Sequence, residues 1–141
     1  MKILIDRLGK AFNLTLDLIQ NISSEDLSLK LEGLPSNTIG QQLWCMIGAR
    51  ESYSNAIINC GWMGFECSLK DETSRDMVLE GLTKSAQDCM HYLDGHELTE
   101  VQLTFLMDLL EHEILHHGQL IRYFYGNRLP FPKSWHERYT V

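Results

Sequence analysis

Leu103-Thr104-Phe105-Leu106-Met107-Asp108-Leu109-Leu110-Glu111-His112-Glu113-Ile114-Leu115-His116-His117-Gly118-Gln119-Leu120-Ile121-Arg122-Tyr123-Phe124-Tyr125 is the stretch on which the fold assignment turns. Leu103, Leu106, Leu110, Ile114, His117, Ile121 and Phe124 recur in steps of three and four, the period of one helix face. Gly126-Asn127 follows as a stop signal. The spacing predicts a helix that opens at Thr99 or Thr104 and runs to Tyr125.

The same period recurs upstream. Met77, Leu79, Leu82, Ala86, Cys89 and Leu93 place a helix over residues 73–94, with Gly95 just past its end. Thr38 and Gln41 have the spacing of a capping box. It opens a helix with Ile39, Leu43, Ile47, Ser54, Ile57 and Ile58 on its core stripe and an end near Gly61. Leu4, Leu8, Ala11, Thr15, Leu18 and Ile22 define a first helix, broken by Ser23-Ser24-Glu25-Asp26. Residues 27–36, with Gly33 and Pro35, read as a crossing loop, and Gly64 to Lys70 as another connection. After Pro130 and Pro132, Ser134 and Glu137 have the spacing to cap a last short helix bearing Trp135. No segment alternates over strand length and no repeat is present. Four amphipathic segments of about 20 residues joined by loops predict an all-α, antiparallel four-helix bundle with a short extra C-terminal helix, one domain over residues 1–141.

A net charge of −7 argues against a nucleic-acid partner, which requires a face rich in Lys and Arg. No apolar run approaches the ~18 residues of a membrane span. Asp6 and Arg7 interrupt the place where a signal peptide needs its apolar run, so the expected location is cytoplasmic. Cys45, Cys60, Cys67 and Cys89 have no paired spacing and read as free thiols, of a residue type usually buried.

Chemistry concentrates in the fourth helix. His112 and His116, four apart, stack on one helix face and can both ligate one ion. They lie to the side of the Leu106, Leu110, Ile114 stripe, whereas His117 falls on it and reads as a hydrogen-bonded core histidine. The plainer alternative is a pair of surface histidines. Glu113 and Gln119 are candidate supporting groups, and Tyr123 lies on roughly the same side. His112 to His116 also spells the H-E-x-x-H of zinc proteases, but only His136 and Glu137 remain downstream as a third ligand, and no strand exists to hold an extended substrate. A third ligand from elsewhere is Cys45, set opposite the second helix's stripe among Gln41, Ala49, Ser52 and Ala56. A thiolate is a good zinc ligand, and the competing reading of Cys45 is a small buried hydrophobe.

The chain resembles the DinB-like (DinB/YfiT) bundle proteins of bacteria. Ser36-Asn37-Thr38-Ile39-Gly40-Gln41-Gln42-Leu43 is similar to the family's opening of its second helix. His112-Glu113-Ile114-Leu115-His116-His117-Gly118-Gln119-Leu120 is similar to its H-E-x-x-H-x-G-Q helix, and Leu129-Pro130-Phe131-Pro132-Lys133-Ser134-Trp135 to its tail. The resemblance implies His112 and His116 as metal ligands. The family's third ligand is a histidine seven residues after the residue that opens the second helix, and here that position is Cys45. His117 stands where the family usually has arginine.

What the resemblance implies is a metal-dependent hydrolase or low-molecular-weight-thiol transferase. Its divalent transition metal, zinc or nickel, would be held by Cys45, His112 and His116. A small-molecule substrate such as a thiol conjugate, and homodimers formed through helix faces, follow from the same resemblance. The competing expectations are a non-catalytic bundle that binds a small apolar ligand or a partner helix, its metal site decayed, and a metal-binding or redox-responsive protein in which Cys45 is the sensitive group.

Overall fold

The Gln41 backbone N–H donates to the Thr38 hydroxyl at 3.1 Å, and the Thr38 N–H donates back to the Gln41 side chain at 3.0 Å. This capping box opens the second long helix. Thr99 and Gln102 repeat it, so of the two starts considered for the last long helix Thr99 is used. The computed structural model describes all 141 residues. Its helices are α1 (Lys2–Gln20), α2 (Ile39–Asn59), α3 (Arg75–Asp94), α4 (Glu100–Gly126) and the short α5 (Lys133–Arg138), with a 3-10 turn over Glu25–Ser28. There is no strand, and no helix is long and apolar enough to cross a membrane.

Several expected punctuation marks fall one or two residues away. Cys60 takes the left-handed conformation that ends α2, at φ 52°, one residue before Gly61. Arg128 takes it beyond α4, at φ 56°, rather than Gly126. Ser134 does not cap α5: Pro132 precedes the helix without a side-chain cap, and the buried Ser134 hydroxyl finds no partner. What anchors α5 is Trp135, fully buried, whose indole N–H donates to the Leu14 carbonyl at 2.7 Å.

The core is divided in two. One apolar cluster holds Leu18, Leu43, Ile47, Val78, Leu120 and Phe124 among others, and a second is built from Leu8, Phe12, Ile57, Cys89, Leu106 and Leu109. Buried Thr15, Arg50, Ser85, Glu113 and His117 lie where the two clusters meet, and make a polar layer across the middle of the fold.

The four long helices pack together, α3 and α4 each against both α1 and α2. Their directions correct the expectation of an antiparallel array. Gln42 meets His116 and the Ile57 carbonyl meets Gln102, so α2 and α4 are antiparallel. Arg75 reaches the Ile22 carbonyl, and Gly9 lies against Met90, so α1 and α3 are antiparallel as well. In contrast, Gly81 packs on Ile47 and the Cys89 thiol lies beside Ser54, so α2 and α3 are parallel. The two clusters also follow the same order along α1 and α4, which are parallel. Residues 60–74 make this arrangement feasible by carrying the chain back along α2. They are held there by reciprocal bonds between the Ser52 hydroxyl and the Glu66 backbone, at 2.9 and 3.1 Å.

Candidate metal centre

Because α2 and α4 are antiparallel, a three-residue step on one meets a four-residue step on the other. Cys45 faces His112, and Gln42, one turn earlier, faces His116. The Cys45 Sγ lies 3.7 Å from the His112 Nε2. A sulfur and a nitrogen bound tetrahedrally to one zinc are separated by roughly 3.6 Å, given bond lengths near 2.3 and 2.0 Å. One donor atom each from Cys45, His112 and His116 lies within 4.8 Å of the other two. The three residues could therefore hold a metal ion.

The orientation of His116 is fixed by a chain of hydrogen bonds. The Gln42 side-chain N–H donates to the Asn37 Oδ1 at 2.8 Å, which leaves Gln42 Oε1 as an acceptor, 2.5 Å from the His116 Nδ1. Nδ1 therefore carries the proton, and the His116 Nε2 keeps its lone pair. The Tyr123 hydroxyl donates to Asn37, whose backbone and side-chain oxygens lie at 2.8 and 2.5 Å, and so closes the far end of the chain. An acceptor on the outer ring nitrogen is the support a metal-ligating histidine requires. His116 is only 6% exposed, and no protein group bonds to its second nitrogen.

Electrostatics put both rings in the ligating form. Burial, reinforced by the neighbouring His112, pushes the His116 pKa down to about 4. Burial also lowers that of His112, only partly offset by the Glu113 charge. Both are thus neutral at pH 7. Burial raises the Cys45 thiol, so it is protonated at pH 7 and must give up its proton to act as a thiolate ligand.

The expected supporting groups divide. Tyr123 belongs to the site through Asn37 and Gln42, but Gln119 is exposed and Glu113 points elsewhere. Glu113, completely buried, accepts from the Arg50 Nε at 3.1 Å and from its terminal nitrogen at 2.5 Å. The Thr15 hydroxyl donates to the same carboxylate at 2.5 Å. Burial alone would raise the Glu113 pKa, but Arg50 and His117 hold the carboxyl far below the ordinary range. A carboxylate committed in this way cannot activate water beside His112, so the protease-like reading of H-E-x-x-H fails on geometry.

His117 is the core histidine expected. Its Nε2 lies 2.8 Å from the Thr15 hydroxyl and its Nδ1 2.8 Å from the Tyr139 hydroxyl. His116, by contrast, is neither a surface residue nor set aside from the buried face, because the buried face of α4 is rotated from the expected stripe. Leu109, Glu113, His116, Leu120 and Tyr123 are buried, whereas Leu110, Ile114 and Ile121 are only half-buried. All four cysteines are free thiols, and only Cys89 is buried.

Gln42, Asn37 and Arg50 are the working residues the sequence reading did not single out. Asn37 and Gln42 both lie in the Ser36–Leu43 segment that opens α2, and Arg50 follows Ile47 by three residues on the side of the apolar stripe, a placement unusual for a charged side chain. Comparison with family models, with curated proteins and with solved structures returned no match.

Proposed function

We propose that the protein is a metal-dependent enzyme of the DinB-like kind, a hydrolase or a low-molecular-weight-thiol transferase. Cys45, His112 and His116 would hold one divalent transition metal between α2 and α4. The observation that carries this reading is the convergence of three donors of which one, His116, has its free nitrogen aimed by the Gln42–Asn37–Tyr123 chain. A metal with three protein ligands keeps a coordination position open and lowers the pKa of a water or thiol placed there. Replacement of the family histidine by Cys45 favours zinc over nickel, since thiolate is the softer donor.

Beside His112 an open depression of about 400 Å3, lined by Tyr53, Asp108, Glu111 and Leu115, gives a small thiol conjugate room to approach. Tyr53 offers it an aromatic face, 6.3 Å from the His112 ring centre. A second reading, a non-catalytic bundle with a degenerate metal site, has one observation in its favour: Glu113, the carboxylate next to the ligands, is wholly engaged by Arg50.

Elemental analysis of protein purified without added metal separates the two readings. The enzyme reading expects close to one transition metal per chain in wild type and in Cys45→His, and a large loss in Cys45→Ala. Turnover of a thiol conjugate should then disappear with the metal on chelation and return when it is restored. Equal metal content in wild type and Cys45→Ala would remove Cys45 from the site and favour the non-catalytic bundle.

A further inference from the structure

The parallel pair α1 and α4 leaves a groove of about 430 Å3 that takes no part in the metal centre. Ala11, Leu14, Leu110 and Ile114 form its apolar floor, with Ile3 at one end. Arg7 and Lys10 on α1 and Arg138 at the end of α5 stand exposed around it, beside a single carboxylate, Asp6. Leu110 and Ile114 have the helical spacing of core residues yet remain half-buried, because they face this groove.

Charge distinguishes the groove from the rest of the molecule. Three cations and one carboxylate give its border a charge of +2, on a chain whose net charge is −7. None of the three cations takes part in an ion pair. Elsewhere four cations are engaged, Arg50 with Glu113, Lys84 with Asp88, Lys133 with Glu137, and Arg75 with the Gln20 and Ile22 carbonyls, whereas Lys2, Lys30, Lys70, Arg122 and Arg128 form no ion pair either, so it is the clustering of three cations around one apolar floor that sets the groove apart. The volume lies in the range of small-molecule pockets, roughly 300–1,000 Å3.

We propose that this groove binds a medium-chain fatty acid, its alkyl tail lying on the floor between α1 and α4 and its carboxylate held by Arg7, Lys10 and Arg138. An apolar floor calls for a tail without polar groups. A border of cations with planar guanidinium forks calls for a carboxylate, which arginine can hold through two parallel hydrogen bonds. The single Asp6 favours a monoanion over a more highly charged head group. The site is independent of the metal-centre reading.

Calorimetric titration of the full chain with decanoate tests the proposal. The expected result is one saturable site per chain. Arg7→Ala and Arg138→Ala, both at exposed positions, should each weaken binding by about tenfold, the effect of losing one charge-assisted contact. Shortening the acid should weaken binding by about fourfold per methylene removed. Decanol should bind at least about tenfold more weakly than decanoate, for want of the charge. Ile114→Asp should abolish binding while the helical circular dichroism is retained. Absence of a saturable site in wild type would overturn the proposal, as would decanoate and decanol binding alike in wild type and Arg7→Ala/Arg138→Ala. So would a wild-type dimer, seen by sedimentation, that Ile114→Asp dissociates and decanoate leaves intact, because a second copy of the chain would then fill the groove.

Discussion

Replacing Glu113 by Gln removes one charge and changes the shape very little, yet it should be among the most damaging single substitutions in this chain. Arg50 and Glu113 are both completely buried and joined by two hydrogen bonds. The Arg50 guanidinium also donates to the Leu82 carbonyl at 2.9 Å and lies 4.2 Å from the centre of the Phe12 ring. With Gln at position 113 these contacts keep the guanidinium inside, but without its counter-charge. Breaking one side of a buried pair typically costs about 3–5 kcal/mol. For 141 residues an unfolding entropy of roughly 2.1 cal/mol/K per residue turns that into a fall in melting temperature of about 10–17 °C.

Thermal and urea unfolding followed by helical circular dichroism measure the effect. Arg50→Met with Glu113→Leu should cost clearly less than the sum of Arg50→Met and Glu113→Leu, since no charge is then left unpaired. The same pair sets the acid behaviour. The Glu113 carboxyl is held below its unfolded pKa, so its contribution is present at neutral pH and is lost as pH falls below about 4.5. Glu113→Gln should accordingly flatten the acid limb of the stability profile. A melting point within about 2 °C of wild type, with an unchanged acid limb, would refute the reasoning.

Two further outcomes follow from the packing around α2. Gln42→Leu should lower metal affinity by about 10–100-fold in competition with a chromophoric chelator, by freeing the His116 ring to turn; unchanged affinity would reduce Gln42 to a packing residue. Gly40→Ala should destabilise by about 1–3 kcal/mol in urea despite alanine's better helix propensity, because a Cβ there would lie 2.3 Å from the Glu72 carbonyl oxygen; a midpoint at or above wild type would show that the 60–74 connection yields.

Helix content was legible because the apolar period is long and the caps are explicit: both capping boxes, at Thr38 and Thr99, have the spacing their sequences announce. The rotation of α4 was not. Leu109, Leu110, Ile114 and Leu115 are apolar on neighbouring faces, so the period alone leaves the phase open. Long-range polar contacts settle it, with Glu113 meeting Arg50 and Thr15, and His116 meeting Gln42. Helix direction was equally hidden, because an amphipathic stripe reads the same whichever way its neighbour runs. The candidate site was more legible. His112 and His116 follow from an i, i+4 spacing, and Cys45 from its place opposite the apolar stripe of α2 among small neighbours. Gln42 is polar and ordinary by type, and only its burial against His116 gives it a role.

The four residues His112, Glu113, His116 and His117 form two adjacent columns on one helix, and the two columns have separate tasks. His112 and His116 turn to α2 and meet Cys45 and Gln42. Glu113 and His117, about 100° further round at each step, turn into the core and meet Arg50, Thr15 and Tyr139. Arg50 and Cys45 are both on α2, so the buried ion pair and the Cys45–His112 approach constrain the same α2–α4 register. A helix that slipped by one turn would separate the candidate donors Cys45, His112 and His116 and at the same time strand two charges in the core. The polar layer thus holds the donors of α2 and α4 opposite one another, and its cost falls where water never reaches. Glu113 therefore bears on the candidate metal centre through the position of its helix, and not through the water-activating chemistry that its place between the two histidines suggests.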